Sequence, residues 1–229
     1  MTRHKRALQV MLLVVAVLGI GAPAWSAPFP IARIYIEYNS SANDLGFHVF
    51  LDAEDWLEVE IRNPSGATIF EVEGTGSYED LGLTELFFEG AEPPLDDFPL
   101  EDLLDLFPEG RYRFIGKTVD GATLVSRPTL SHAVPAGPEV SATVNGDNVV
   151  IHWTLVDSAP VDFPEQDVNV VGYQVIVGSF QVTLPASSTS VKVPVAYVQS
   201  LAPGTYDFEV LAIEESGNQS ITEGTFEID

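Results

Sequence analysis

The 229-residue chain contains no cysteine. Disulfides, thiolate metal centres, cysteine nucleophiles and a lipidated N-terminal cysteine are therefore excluded. Basic residues are almost as scarce, with ten Lys and Arg against 34 Asp and Glu. Three of the ten (Arg3, Lys5 and Arg6) lie in the first six residues, which leaves seven bases against 34 acids, a net charge of −27, for the rest. So acidic a chain is repelled by nucleic acid and by anionic lipid surfaces. It is suited instead to staying soluble in salty surroundings, where screening weakens its self-repulsion, or to holding cations such as Ca²⁺. Histidine is rare too: of four, His4 precedes the apolar N-terminal run, and His48, His132 and His152 stand far apart with no H-E-x-x-H spacing. There is no G-x-S-x-G and no phosphate-binding Gly loop. The acids are so numerous that no particular carboxylate pair stands out as a glycosidase couple.

Long apolar runs are also absent after the N-terminus. The one run, Val10 to Ile20, follows a basic start and precedes the small residues of "GAPAWSA". This is the three-part form of a secretory signal peptide, and the run is too short to span a bilayer as a helix. The expectation is a signal peptide over residues 1–26 and a secreted or periplasmic product with no transmembrane segment after cleavage.

What remains reads as short strands between turn residues. "ARIYIEY" sets Ile34, Ile36 and Tyr38 against Arg33, Tyr35 and Glu37, and the period of two persists through "GFHVFLD", "WLEVEIR" and "ATIFEVE". Between them, "PLEDLLDLF" places Leu100, Leu103, Leu104 and Phe107 on one helical face, which predicts a helical insertion near 99–107. "HAVPAGP", residues 132–138, has two prolines and no periodicity and is predicted to be a linker. Beyond it, "NVVIHWTL", "VVGYQVIVG", "FQVTL", "TSVKVPV", "TYDFEVLAI" and "ITEGTFEI" are strands, about seven with the one opening near Glu139.

Trp153, Tyr173 and "LAPGTYDFEVLA", Leu201 to Ala212, carry a resemblance. Over residues 139–229 the chain resembles a fibronectin type III domain, in which such a Tyr ties its hydroxyl back to the preceding loop. Leu201 and Tyr206 are one residue closer than the family's usual spacing. "FPEGRYRF", Phe107 to Phe114, repeats the phrase of "LAPGTYDF", Leu201 to Phe208, matching Tyr112 with Tyr206 and Phe114 with Phe208. The expected architecture is therefore all-β, with two immunoglobulin-like β-sandwiches in tandem, residues 27–131 and 139–229. The whole chain also resembles uncharacterised exported bacterial proteins that contain a fibronectin type III domain, which implies no activity.

The functional expectation is an exported, non-enzymatic binding or structural module of the bacterial cell envelope or extracellular space, with a protein or carbohydrate partner and no nucleic acid. The alternatives are a carbohydrate-recognising accessory module, which could use Tyr35, Trp56 and Phe180 as an aromatic face, and a carboxylate-based hydrolase. No cofactor is expected, although Asn43, Asp44, Asp52 and Asp55 are hard oxygen ligands that could hold calcium if their loops met. Phe87, Phe88 and Phe98 form a candidate binding patch, unless the helix folds them into a core. The acidic "VDSAPVDFPEQDVNVV" reads as a tolerated surface loop.

Overall fold

The computed structural model describes residues 26–229, so all but the last residue of the expected signal peptide lie outside it. Among the described residues no helix is long and apolar enough to cross a membrane.

The N-terminal half contains eight strands: β1 (Ile31–Asn39), β2 (Asp44–Arg62), β3 (Thr68–Glu73), β4 (Leu83–Glu89), β5 (Gly110–Arg111), β6 (Arg113–Thr118), β7 (Thr123–Ser126) and β8 (Thr129–Leu130). Helices α1 (Ser77–Leu81) and α2 (Leu100–Leu106) flank β4. The C-terminal half contains β9 (Val140–Asn145), β10 (Asn148–Trp153), β11 (Val170–Val177), β12 (Phe180–Pro185), β13 (Ser190–Lys192), the short helix α3 (Val195–Val198), β14 (Gly204–Glu214) and β15 (Gln219–Ile228).

The C-terminal half is an immunoglobulin-like sandwich. One sheet is β9-β10-β13 and the other runs β12-β11-β14-β15. Alternation aims Val149, Ile151 and Trp153 of the first sheet at Tyr173, Val175, Val177, Phe208 and Val210 of the second, and all are buried in one cluster. This three-plus-four arrangement is the one that the fibronectin type III resemblance implies.

The N-terminal half repeats the same pairings with one modification. In the C-terminal half β10 pairs with β9 and β13, β11 pairs with β12 and β14, and β14 pairs with β15. In the N-terminal half the first part of β2 pairs with β1 and β4, its second part with β3 and β6, and β6 with β7. The 19-residue β2 thus does the work of both β10 and β11. It bends where its registers shift, between Asp52 and Trp56, and there Asp55 takes a positive φ of 43°. A residue in this left-handed region redirects a strand without a loop. The bend lets one strand contribute to both layers, and Trp56, Ile61, Phe114 and Tyr112 are buried between them.

The duplicated phrase has a duplicated geometry. The Tyr112 hydroxyl donates to the Pro108 carbonyl (3.1 Å) and the Tyr206 hydroxyl to the Ala202 carbonyl (2.7 Å), each four residues upstream. Both tyrosines open the strand that leads into the last hairpin of their half. Helix α2, the expected insertion, precedes Tyr112 as α3 precedes Tyr206. Its Leu103 is buried, and Phe107 just beyond it stacks on Phe47 at 4.0 Å.

The two halves are not joined end to end. Strand β1 pairs in parallel with β15, through Glu37 opposite Gln219, Tyr38 opposite Ser220 and Asn39 opposite Ile221, which continues the sheet from one half into the other. Residues 132–138 run beside this seam without regular structure, and Ala133, Val134 and Pro135 are buried. The Ala133 and Pro135 carbonyls are satisfied by side chains of β15 and the turn before it. The Asn218 amide donates to Ser131 and Ala133 (2.9 and 3.0 Å) while its oxygen accepts from the Ile36 N–H at 2.8 Å. The Ser220 hydroxyl donates to the Pro135 carbonyl. The acidic loop after β10 also contributes, since Phe163 packs on Tyr38 with ring centroids 4.8 Å apart.

Candidate functional site

The sheet face that turns away from the N-terminal core carries the densest group of ionisable side chains. Along β1 the core takes Ile34, Ile36 and Tyr38, along β2 it takes Leu45, Phe47, Val49 and Leu51, and Leu86 and Phe88 of β4 pack against it. Strand alternation therefore puts Tyr35 and Glu37, Gly46 and His48, and Phe87 and Glu89 together on the outer face. Register aligns them: His48 lies between Tyr35 and Glu89, and Glu37 lies between Gly46 and Gln219. Glu92 folds back over this face from the segment after β4, which is anchored by Gly90 N–H to the Phe47 carbonyl (3.0 Å) and by Leu95 N–H to the Asn43 carbonyl (2.8 Å).

Glu37, His48, Glu89 and Glu92 each offer a donor atom, and these atoms all lie within 4.8 Å of one another. His48 is only 4% exposed although it sits on an outer face. Tyr35 stacks on one side of its ring at 4.9 Å, and Phe87 flanks it at 5.7 Å. Its Nε2 is 2.9 Å from Glu89 Oε1 and 3.7 Å from Glu37 Oε1, yet neither ring nitrogen has an aligned hydrogen bond. Gly46 provides the floor: a Cβ there would come within 2.9 Å of both Glu89 Oε1 and Glu92 Cγ. Glu37 is also tied to the seam, because Gln219 donates to its Oε2.

Burial, then a hydrogen bond and repulsion from Glu89, push the Glu92 carboxyl up to about 7. Glu37 is raised by burial, against the downward pull of His48. Burial lowers His48, while Glu37 and Glu92 pull it upward. The acidity extends along the strip: Asp44 is raised by burial and by Glu92 and Glu223, and Glu209 by burial, Glu223 and Asp207.

The candidate calcium ligands do not meet. Asn43 lies in the turn before β2 and Asp44 begins the strand, whereas Asp52 lies eight residues farther along it, roughly 26 Å from Asp44 at the rise of an extended chain. Asp55 lies farther still, in the bend. The expectation required a turn back between these residues, and β2 has none. Instead Asn43 adopts a positive φ of 55° in the hairpin turn and its side chain accepts from the Tyr38 hydroxyl.

The aromatic candidates also separate. Phe87 is 58% exposed, whereas its strand neighbour Phe88 stacks on Phe70 at 4.3 Å and Phe98 packs against the N-terminal core. Trp56 is 1% exposed and Phe180 packs on Tyr197 in the other half, so Tyr35, Trp56 and Phe180 form no common face. Reading the sequence for ligand spacing missed the Glu37, His48, Glu89, Glu92 group because β4 and the segment after it, which supply Glu89 and Glu92, lie some forty residues beyond His48 in the chain. The available signal was the odd placement of His48 on the polar face of an alternating strand, next to a glycine.

No protein-family model matches the sequence, and no curated protein matches it. Solved structures give remote likenesses. The PKD1 domain of the Vibrio cholerae metalloprotease PrtV is 16% identical over 42% of this chain and 98% of that one, with a TM-score of 0.30. The fibronectin(III)-like modules of Clostridium thermocellum CbhA are 12% identical over 86% of this chain and 93% of theirs, at 0.30. A 1.5-MDa bacterial ice-binding adhesin is 14% identical over 89% of this chain and 64% of that one, at 0.29. At such scores the likenesses carry no argument, and the fold rests on the strand pairings described above.

Proposed function

We propose that the chain is an exported, non-enzymatic binding or structural module of the bacterial cell envelope or extracellular space. In this reading, residues 27–131 and 139–229 are two sandwich modules, 132–138 connects them, and the partner is a protein or a carbohydrate. The observation that carries it is the seam: parallel pairing of β1 with β15, reinforced by Asn218 and Ser220, makes the halves a stiff pair that presents loops and an acid-coated surface at fixed spacing. Pre-organised surfaces of this kind lower the entropic cost of recognition. Trp56 is buried while Tyr35 and Phe180 are only partly so, and with no common face among them the carbohydrate-specific alternative has less support.

The test is to incubate the purified chain with cell-envelope fractions, cross-link, and measure saturable retention, with a substrate panel run in parallel. Retention that saturates and is competed by unlabelled chain is expected. Turnover of a substrate by the chain, with no retention on any fraction, would contradict the proposal.

A further inference from the structure

We propose that Glu37, His48, Glu89 and Glu92 form a binding site for one divalent first-row transition cation of the Zn²⁺ class. The acidic group alone would not justify a site; the buried histidine does. An imidazole whose side chain is only 6% exposed is ordinarily hydrogen-bonded, since an unpaired polar group away from water is costly. Here Nε2 lies 2.9 Å from Glu89 Oε1 without the alignment of a hydrogen bond, and neither ring nitrogen has an aligned partner. Two donor atoms about 3 Å apart and not directed at each other are arranged as two ligands of one ion are. At metal–ligand bonds of about 2.0–2.2 Å, the edges of a coordination polyhedron run from about 2.8 Å in an octahedron to about 3.6 Å in a tetrahedron, so the pair needs to part only slightly to take a tetrahedral ion.

The floor points the same way. Gly46 leaves the space a side chain would fill to the carboxylates of Glu89 and Glu92. Tyr35 and Phe87 fix the imidazole plane from both sides. The donor set selects among cations. Three carboxylates alone would suit Ca²⁺ or Mg²⁺, but an imidazole nitrogen favours Zn²⁺ over either, with Mn²⁺ intermediate. Because Gln219 of β15 holds Glu37, a bound ion would also tighten the seam between the halves.

Calorimetric titration of metal-stripped residues 27–229 with ZnCl₂, MnCl₂ and CaCl₂ tests the assignment. One Zn²⁺ per chain is expected, bound more tightly than Mn²⁺ and at least tenfold more tightly than Ca²⁺. His48→Ala and Glu92→Gln should each weaken Zn²⁺ binding by at least tenfold, while Glu71→Gln with Glu73→Gln, on β3, should leave it unchanged. Glu92 is exposed, so its variant reports on the site even if His48→Ala fails to fold. Zn²⁺ binding that is absent in the parent, unaltered in Glu92→Gln, or no tighter than that of Ca²⁺ would overturn the proposal. Broadening by Mn²⁺ of amide signals should centre on His48 and Glu37, and broadening spread evenly over the acidic surface would count against it.

Discussion

Replacing Tyr112 by Phe isolates one hydroxyl in the corner that both halves share. The ring of Tyr112 is fully buried, and its hydroxyl makes a single hydrogen bond, to Pro108 at 3.1 Å. Phe keeps the packing and leaves that carbonyl without its partner, which should cost about 1–2 kcal/mol near neutral pH. Alkaline pH reverses the comparison. Burial pushes the Tyr112 hydroxyl up to about 12, against the ordinary 10. Between those values the unfolded chain loses the proton while the folded chain keeps it. The wild type is therefore destabilised as pH rises from 10 to 12, by about 3 kcal/mol at 1.36 kcal/mol per unit. The variant lacks this loss. Urea denaturation measured at half-unit steps from pH 8 to 12 should show wild type more stable below about pH 11 and Tyr112→Phe more stable above it. Tyr35, Tyr38 and Tyr173, also raised by burial, are common to both proteins and cancel in the difference. A stability gap that stays constant through pH 12 would refute the reasoning.

Three further substitutions probe the seam, the bend and the face. Asn218→Ala removes three hydrogen bonds from a residue that is 1% exposed, and should lower unfolding free energy by about 3–5 kcal/mol in urea titration; a loss below about 1 kcal/mol would show that the seam contributes little. Gly82→Ala sets a Cβ 2.6 Å from the Asp55 backbone at φ 74°, ψ 177°, a conformation close to glycine-only, and should cost at least about 3 kcal/mol by the same measurement. Phe87→Ser, at an exposed position, should change stability by less than about 1 kcal/mol while raising the solvent access of His48, measurable as faster modification of its imidazole by diethyl pyrocarbonate.

Strand positions were readable because period-two alternation is a local signal. Ile34, Ile36 and Tyr38, or Val149, Ile151 and Trp153, show their buried face within a few residues. The corner tyrosines were expected from the fibronectin type III resemblance and its repeated phrase, and in both halves hydroxyl and acceptor lie four residues apart. The continuity of β2 was not. Asp52 to Asp55 looks like turn chemistry, and only tertiary pairing on both sides of β2 holds Asp55 in a bend rather than a loop. The calcium candidates separate because Asp44 and Asp52 lie along one extended stretch of β2, with Asp55 beyond it in the bend. The carboxylate–histidine group was hidden by distance: Glu37 and Glu92 are 55 residues apart and meet only because β1 and β4 flank β2. The burial of residues 133–135 was hidden too, because the Ala133 and Pro135 carbonyls are satisfied by Asn218 and Ser220, and hydrogen bonding of this kind leaves no apolar pattern in the segment it covers.

The account turns on the pairing of β1 with β15, which in the proposed reading holds the two halves as one body. Backbone residual dipolar couplings, measured for both halves in one weakly aligned sample, test it most directly. A single alignment tensor should fit the amides of β1, β2 and β6 together with those of β11, β14 and β15. Two tensors of different magnitude or orientation would mean that the halves move independently, and the seam would then be no joint at all.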